Sequence, residues 1–166
     1  YMRTIDNINS LNKSEFLSIF GNVFEKTESV ALKVFELKPF KDFDDIISKM
    51  LKIYEEYDRD KILEILNSHP ELVIEKKLTT DSKLEQTSAN LNECSEEEFK
   101  EFKKLNVEYK TKFGFPFIIA VKGKNKNEIL VNFRERIQND LNKELFEAKN
   151  QVKKIASFRL KDILSI

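Results

Sequence analysis

The chain has 166 residues, 40% apolar and 35% charged, with 29 basic side chains against 29 acidic ones. That length suits one domain with a real core, and the balanced charge gives no support to nucleic-acid or acidic-membrane binding. The lone Cys94 excludes an internal disulfide and points to a reducing, cytoplasmic setting.

With 3 Gly and 3 Pro, the chain has few strong breakers, and its apolar residues recur mostly at helical intervals. The expectation is an all-α fold: one compact multi-helix domain over residues 1–166. From Ser14, the stripe Phe16, Ile19, Phe20 and Phe24 predicts a first helix, and Val30, Val34 and Leu37 a second, ending before Pro39. Asp42 or Asp44 can cap a third through Ile46, Ile47, Met50, Leu51 and Tyr54. Asp58 or Asp60 can open a fourth through Ile62, Leu63 and Ile65, and His69-Pro70 closes this half.

Residues 71–80 carry no helical stripe and read as a loop. Thr79, Thr80 or Asp81 can cap a helix through about Asn90, on which Ser82, Glu85, Gln86 and Ala89 share one face. Ser95-Glu-Glu-Glu98 is a capping box opening a helix with the stripe Phe99, Phe102, Asn106, Tyr109 and Phe113, which Gly114 and Pro116 end. Phe117, Ile118, Ile119, Ala120 and Val121 have the β-branched and aromatic character of extended backbone, whose amides and carbonyls can bind a planar heterocycle. A polar turn at 122–127 follows. Residues 126–166 read as two helices with a break near 138–142, the last carrying the stripe Leu141, Leu145, Ala148, Val152 and Ile155.

The next step of that stripe lands on Arg159. An arginine there is costly unless paired: either it snorkels at the helix end or it points into a polar pocket that receives an anion. His69 is the one side chain here with an unperturbed pKa near neutrality, and the adjoining proline restricts its backbone. It can be a proton-transfer group or simply a residue of a helix boundary. Glu85 is solvent-exposed by default, yet its companions Ser82, Gln86 and Ala89 are small and mixed, which suits a cavity lining. A carboxylate close to His69 would raise its pKa and fix its tautomer.

One histidine and one cysteine, without His-x-x-x-His or Cys-x-x-Cys spacing, give metal catalysis little support. Three glycines, at 21, 114 and 123, cannot build a phosphate loop or a dinucleotide fingerprint, and no Gly-x-Ser-x-Gly elbow marks a hydrolase. Glu93, Glu96, Glu97 and Glu98 should raise rather than lower the Cys94 thiol pKa. The longest apolar stretch, 115–121, is too short to span a membrane, and the N-terminal residues lack a signal-peptide core.

Three islands stand in one order: His69-Pro-x-Leu72, Ser82-x-x-Glu85-Gln86-x-x-Ala89, and Leu105-Asn106-x-x-Tyr109-x-x-Lys112-Phe113-Gly-Phe-Pro-Phe117. Together they resemble the OHCU decarboxylase family, over about Leu11 to Ile163. OHCU is 2-oxo-4-hydroxy-4-carboxy-5-ureidoimidazoline, an intermediate of urate breakdown that the family converts to (S)-allantoin and carbon dioxide. The resemblance implies catalysis without a cofactor, with His69 as proton-transfer residue and Glu85 as its partner. It further implies a substrate surface drawn from Pro70, Ser82, Lys83, Leu84, Glu85, Gln86, the five residues 117–121 and Arg159.

Members of the family are commonly homodimers, and some bacterial relatives are fused to a urate oxidase, so the chain could be a full protein or one domain of a longer one. The peroxisomal address of some relatives is not matched by Leu164-Ser-Ile166. Two departures stand out. The glycine common after His-Pro is missing from Glu71-Leu-Val-Ile-Glu-Lys-Lys77, and the usual Ala-Gly is Ala89-Asn90, where Asn can adopt left-handed geometry. A helical interaction module that keeps the scaffold without activity is the alternative to an enzyme.

Overall fold

Short polar side chains sit at most of the predicted helix starts, where their oxygens accept from backbone N–H groups that have no partner inside the helix. Asn12, Asp42, Thr79, Ser95 and Asn125 each do so, and Asn12, Ser95 and Asn125 complete capping boxes with a glutamate three residues on. Asp58 accepts from Lys61 N–H at 2.9 Å and Asp140 from Lys143 N–H at 2.8 Å.

This is a computed structural model, and it describes residues 3–73 and 78–166. Among these the regular structure is entirely helical: α1 (Ile5–Asn9), α2 (Lys13–Phe20), α3 (Ser29–Phe35), α4 (Phe43–Glu55), α5 (Arg59–Ser68), α6 (Thr80–Ser88), α7 (Glu96–Phe113), α8 (Lys126–Arg136) and α9 (Leu141–Leu164). The all-α expectation holds. None of the described helices is long and apolar enough to cross a membrane.

The chain divides into two units, one of residues 1–68 with 153–166 and the other of residues 69–152. In the first, the stripes predicted for α2 to α5 are buried at Phe16, Phe20, Val30, Val34, Ile46, Met50, Tyr54, Ile62 and Ile65, joined by Ala156, Leu160 and Leu164 of α9. Phe24 lies beyond the end of α2 but is buried, stacked on Tyr54 with ring centroids 4.8 Å apart. Leu37, read as core, is 44% exposed because α3 stops at Phe35, two residues before it. Helix α1 has no counterpart in the sequence reading. It is one short turn capped by Thr4, and the Asn9 side chain ties its end to the Phe40 backbone by two hydrogen bonds of 2.8 and 2.9 Å.

The second unit is built around an aromatic cluster of Phe102, Tyr109, Phe113, Phe115, Phe117 and Phe133, all buried. Phe117 and Phe133 stack at 3.8 Å and 7°. Gly114 ends α7 at a φ of 82°, a left-handed conformation that glycine adopts without a Cβ penalty. Residues 117–121 belong to no helix, turn or strand, and all five are buried. The polar turn is shorter than expected, because Asn125 caps α8 and Lys126 is already helical.

The stripe of α9 needs a correction in this unit. Leu141, read as its first core residue, is 43% exposed, whereas Glu144 and Gln151 are buried alongside Ala148 and Val152. Leu141 is the first residue of the helix, and the inward positions of the next turns are taken by two polar side chains with partners of their own.

Candidate active site

His69 follows the last residue of α5 and is 7% exposed; Pro70 is half-buried behind it. Helix α6 presents Ser82, Gln86 and Ala89 inward at 4%, 8% and 2% exposure, with Glu85 half-buried. The predicted shared face is therefore real for the three buried residues. Lys83 and Leu84 lie on the opposite side, both exposed, because a helix turns about 100° per residue and a run of five consecutive positions cannot all face one way.

Gln86 joins α6 to the residues after His69-Pro70. Its Oε1 accepts from Val73 N–H at 3.2 Å and its Nε2 donates to Glu71 C=O at 3.3 Å, so both ends of the amide are engaged by backbone of the loop. From α7, Asn106 Nδ2 donates to Leu72 C=O at 2.8 Å. Three consecutive loop residues are thus held by two buried amides. A cleft of about 280 Å³ lined by Glu71, Asn106, Val107, Lys110 and Thr111 adjoins them. Of the loop predicted at 71–80, residues 74–77 lie outside the described residues.

Both departures from the family pattern have a visible counterpart. Asn90 takes a φ of 59°, the conformation a glycine would adopt in its place. Val73 takes a φ of 54°. That is an outlier for a β-branched side chain, and it falls in the loop where the resemblance leads one to expect a glycine.

Residues 117–121 are held by groups absent from the sequence reading of the site. Arg136 donates from Nη1 to Ile118 C=O at 2.6 Å, and Ala120 N–H donates to Gln151 Oε1 at 2.9 Å. Val121 C=O accepts from Lys124 N–H at 3.0 Å. The carbonyls of 118 and 121 and the amide of 120 are accordingly engaged within the protein, which narrows the backbone expected to meet a heterocycle.

Arg136 is itself fixed. Its Nε donates to Glu144 Oε1 at 2.6 Å, and its guanidinium lies over the Phe117 ring at 4.4 Å. Glu144, fully buried, also accepts from Tyr109 Oη at 2.6 Å and from Asn139 Nδ2 at 3.0 Å. Burial and the hydrogen bond to Glu144 push the Tyr109 phenol well above its ordinary pKa, so it stays a neutral donor. The Cys94 thiol is pushed up by partial burial and by the charge of Glu98, in the direction its acidic neighbours predict.

In the first unit Arg159 is 6% exposed. It does not snorkel. Nη1 donates to Asn22 C=O at 2.8 Å and Nη2 meets Glu25 Oε2 at 3.2 Å, with Glu25 completely buried in the segment between α2 and α3. The costly stripe position is therefore compensated by a carboxylate the periodic reading did not single out. The signal was available in principle: a buried cation requires an anion, and Glu25 directly follows the buried Phe24.

The sequence matches the OHCU decarboxylase family over residues 9–161. It is 38% identical over 162 residues to a uric acid degradation bifunctional protein of Bacillus sp. (strain TB-90), covering 98% of this chain and 32% of that protein. The chain thus spans about a third of that relative's length. It is 33% identical to a 2-oxo-4-hydroxy-4-carboxy-5-ureidoimidazoline decarboxylase of Haloferax volcanii, covering 98% of this chain and 96% of the relative. A crystal structure of (S)-allantoin synthase superposes with a TM-score of 0.79 at 25% identity, over 98% of this chain and 54% of the other.

Proposed function

The chain belongs to the OHCU decarboxylase family, and from that premise we propose that it decarboxylates 2-oxo-4-hydroxy-4-carboxy-5-ureidoimidazoline to (S)-allantoin and carbon dioxide. The observation that carries the reading is the family match across residues 9–161, which contains His69, the Ser82 to Gln86 helix face, residues 117–121 and Arg159. Because that match runs through both units, residues 1–166 are read as one decarboxylase domain.

Loss of carbon dioxide needs a place for the electron pair of the broken bond. In this substrate the ring carbon beside the carboxylate-bearing carbon is part of a C=N group. The pair moves into the new C=C bond as the C=N electrons pass to nitrogen, which takes a proton. The resulting enol then becomes the ring carbonyl by losing its hydroxyl proton, while the neighbouring carbon gains one. Atoms and charge balance without a redox partner, so the protein's task is to bind, orient and move protons. His69 and Glu85 handle the protons, and delivery to one face of the enol sets the S configuration. Arg159 belongs to the substrate-binding set of this reading, with its guanidinium oriented by Asn22 and Glu25. The backbone of 117–121, with Pro70 and the 82–86 helix, holds the heterocycle and ureido arm.

Supporting this assignment, Gln86 and Asn106 fix the loop after His69-Pro70 against α6 and α7. A homodimer belongs to the same proposal, as do a cytoplasmic location and a physical link to urate oxidase. The bifunctional Bacillus relative supports a link to another activity of uric acid degradation, and urate oxidase is the partner proposed here.

The test generates the unstable substrate in place from urate with urate oxidase and hydroxyisourate hydrolase and follows circular dichroism. Wild type should give one allantoin enantiomer rapidly. Folded His69→Ala should be slower by about 10²–10⁴, the usual contribution of a positioned acid–base group. Slow racemic product with both proteins would sink the enzyme reading in favour of a helical interaction module, and a wild-type rate in His69→Ala would remove the histidine's role.

A further inference from the structure

Ile119 is 5% exposed, and among the described residues neither its N–H nor its C=O makes a hydrogen bond. Unpaired backbone groups on a buried residue are uncommon, and here their directions are determined by their neighbours. A trans peptide is planar, so the C=O of one residue and the N–H of the next point in opposite directions. Ile118 C=O is turned to Arg136, which aims Ile119 N–H away from that arginine. Ala120 N–H is turned to Gln151, which aims Ile119 C=O away from that glutamine.

We propose that Arg136 and Gln151 are positioning residues for the decarboxylation: by gripping the peptide groups on either side of Ile119, they present its N–H and C=O as a fixed donor–acceptor pair for an N–H/C=O edge of the substrate. The proposal rests on the decarboxylase reading. A ureide or imidazolone edge is the complementary chemistry, an acceptor and a donor side by side, and both occur in the substrate of that reaction.

Each grip is set without help from a ligand. The ion pair of Arg136 with the fully buried Glu144 compensates its charge, so this arginine serves as a hydrogen-bonding fork toward Ile118 rather than as a receptor for a substrate anion. Tyr109 and Asn139 hold Glu144 in turn. Gln151 Nε2 donates to Glu147 Oε1 at 2.8 Å, and this orients the amide with Oε1 toward Ala120. Neither Arg136 nor Gln151 needs to touch substrate.

Gln151→Leu keeps the approximate volume and removes the acceptor, whereas the exchange Glu147→Gln with Gln151→Glu keeps both an acceptor for Ala120 N–H and a hydrogen bond between the two side chains. Gln151→Leu should raise KM about tenfold, the order expected for one misdirected hydrogen bond, with kcat within about twofold, and the exchanged pair should recover most of the loss. A merely structural role would instead lower kcat and thermal stability together, with no recovery in the exchanged pair. That result would overturn the proposal, as would a wild-type KM in folded Gln151→Leu. The wild type supplies a second readout that needs no variant to fold: on titration with (S)-allantoin, the amide and carbonyl resonances of Ile119 should shift. Binding that leaves both unmoved overturns the proposal. A wild type that does not accelerate (S)-allantoin formation refutes the decarboxylase reading itself, whereas an active wild type with an indifferent Gln151→Leu refutes only the positioning role.

Discussion

Val73 offers a direct test of whether the loop after His69-Pro70 carries the backbone of a missing glycine. Its φ of 54° costs an L-residue roughly 1–2 kcal/mol relative to glycine. Comparing Val73→Gly with wild type would mix that relief with lost packing, because the side chain is half-buried. The informative pair is Val73→Gly against Val73→Ala, since both delete the branched side chain and differ mainly in whether a Cβ remains. At an ordinary helix or strand position alanine is the more stable of the two by about 0.5–1 kcal/mol, reflecting the freer unfolded chain of glycine. At Val73 the left-handed penalty of about 1–2 kcal/mol opposes that term, leaving glycine ahead by about 0.5–1 kcal/mol. For a chain of this size each kcal/mol moves Tm by about 2–4 °C, so the glycine variant should melt roughly 1–4 °C above the alanine variant. Urea unfolding followed by far-UV circular dichroism gives the same comparison at 25 °C. An alanine variant as stable as the glycine one, or more so, would refute the strained-loop reasoning.

Glu25→Ala removes the carboxylate from a buried guanidinium and should destabilise the protein by about 3–5 kcal/mol in denaturant unfolding, with Glu25→Gln less damaging. Tyr109 has a phenol pKa raised first by burial and then by Glu144, so its neutral form is favoured in the folded state. Its contribution is complete below the unfolded tyrosine pKa of about 10 and is lost as pH rises toward the higher folded value. Stability measured from pH 8 to 11 should therefore fall at the alkaline end, and Tyr109→Phe should flatten part of that fall while lowering stability at neutral pH by about 1–3 kcal/mol through the lost donation to Glu144.

Helices α2 and α4 to α7 were legible because their caps and apolar stripes agree with the burial observed at most positions, whereas the stripes of α3 and α9 placed Leu37 and Leu141 in the core although both are exposed. Helix α1 was not: five residues with one buried side chain, Ile8, leave no period to read. Within the site, His69, Ser82 and Gln86 emerge buried, and the left-handed Asn90 matches what its side chain allows. Lys83 and Leu84 came in with the motif as a contiguous string, although a helix separates contiguous residues onto different faces. Glu25, Arg136, Glu144 and Gln151 were missed for a common reason. A charged or amide side chain in a periodic pattern reads as solvated unless its partner is known, and these partners lie on other segments: across a helix break for Arg136 and Glu144, 31 residues away for Gln151 and Ala120, and 134 for Glu25 and Arg159. Pairing over such distances is a property of the folded chain and leaves no local spacing to detect.

That separation also orders events during synthesis. Residues 69–152 are contiguous in sequence, whereas the unit containing residues 1–68 is completed by 153–166. At about 5–20 residues per second, Glu25 leaves the ribosome on the order of ten seconds before the arginine that neutralises it. For that interval the nascent chain carries an acid destined for full burial whose countercharge has not yet been made. The first unit therefore closes late, and a ribosome stalled between the codons for Glu25 and Arg159 would leave a species with these N-terminal helices translated and their core electrostatically incomplete, the kind of intermediate that chaperones and proteases sort.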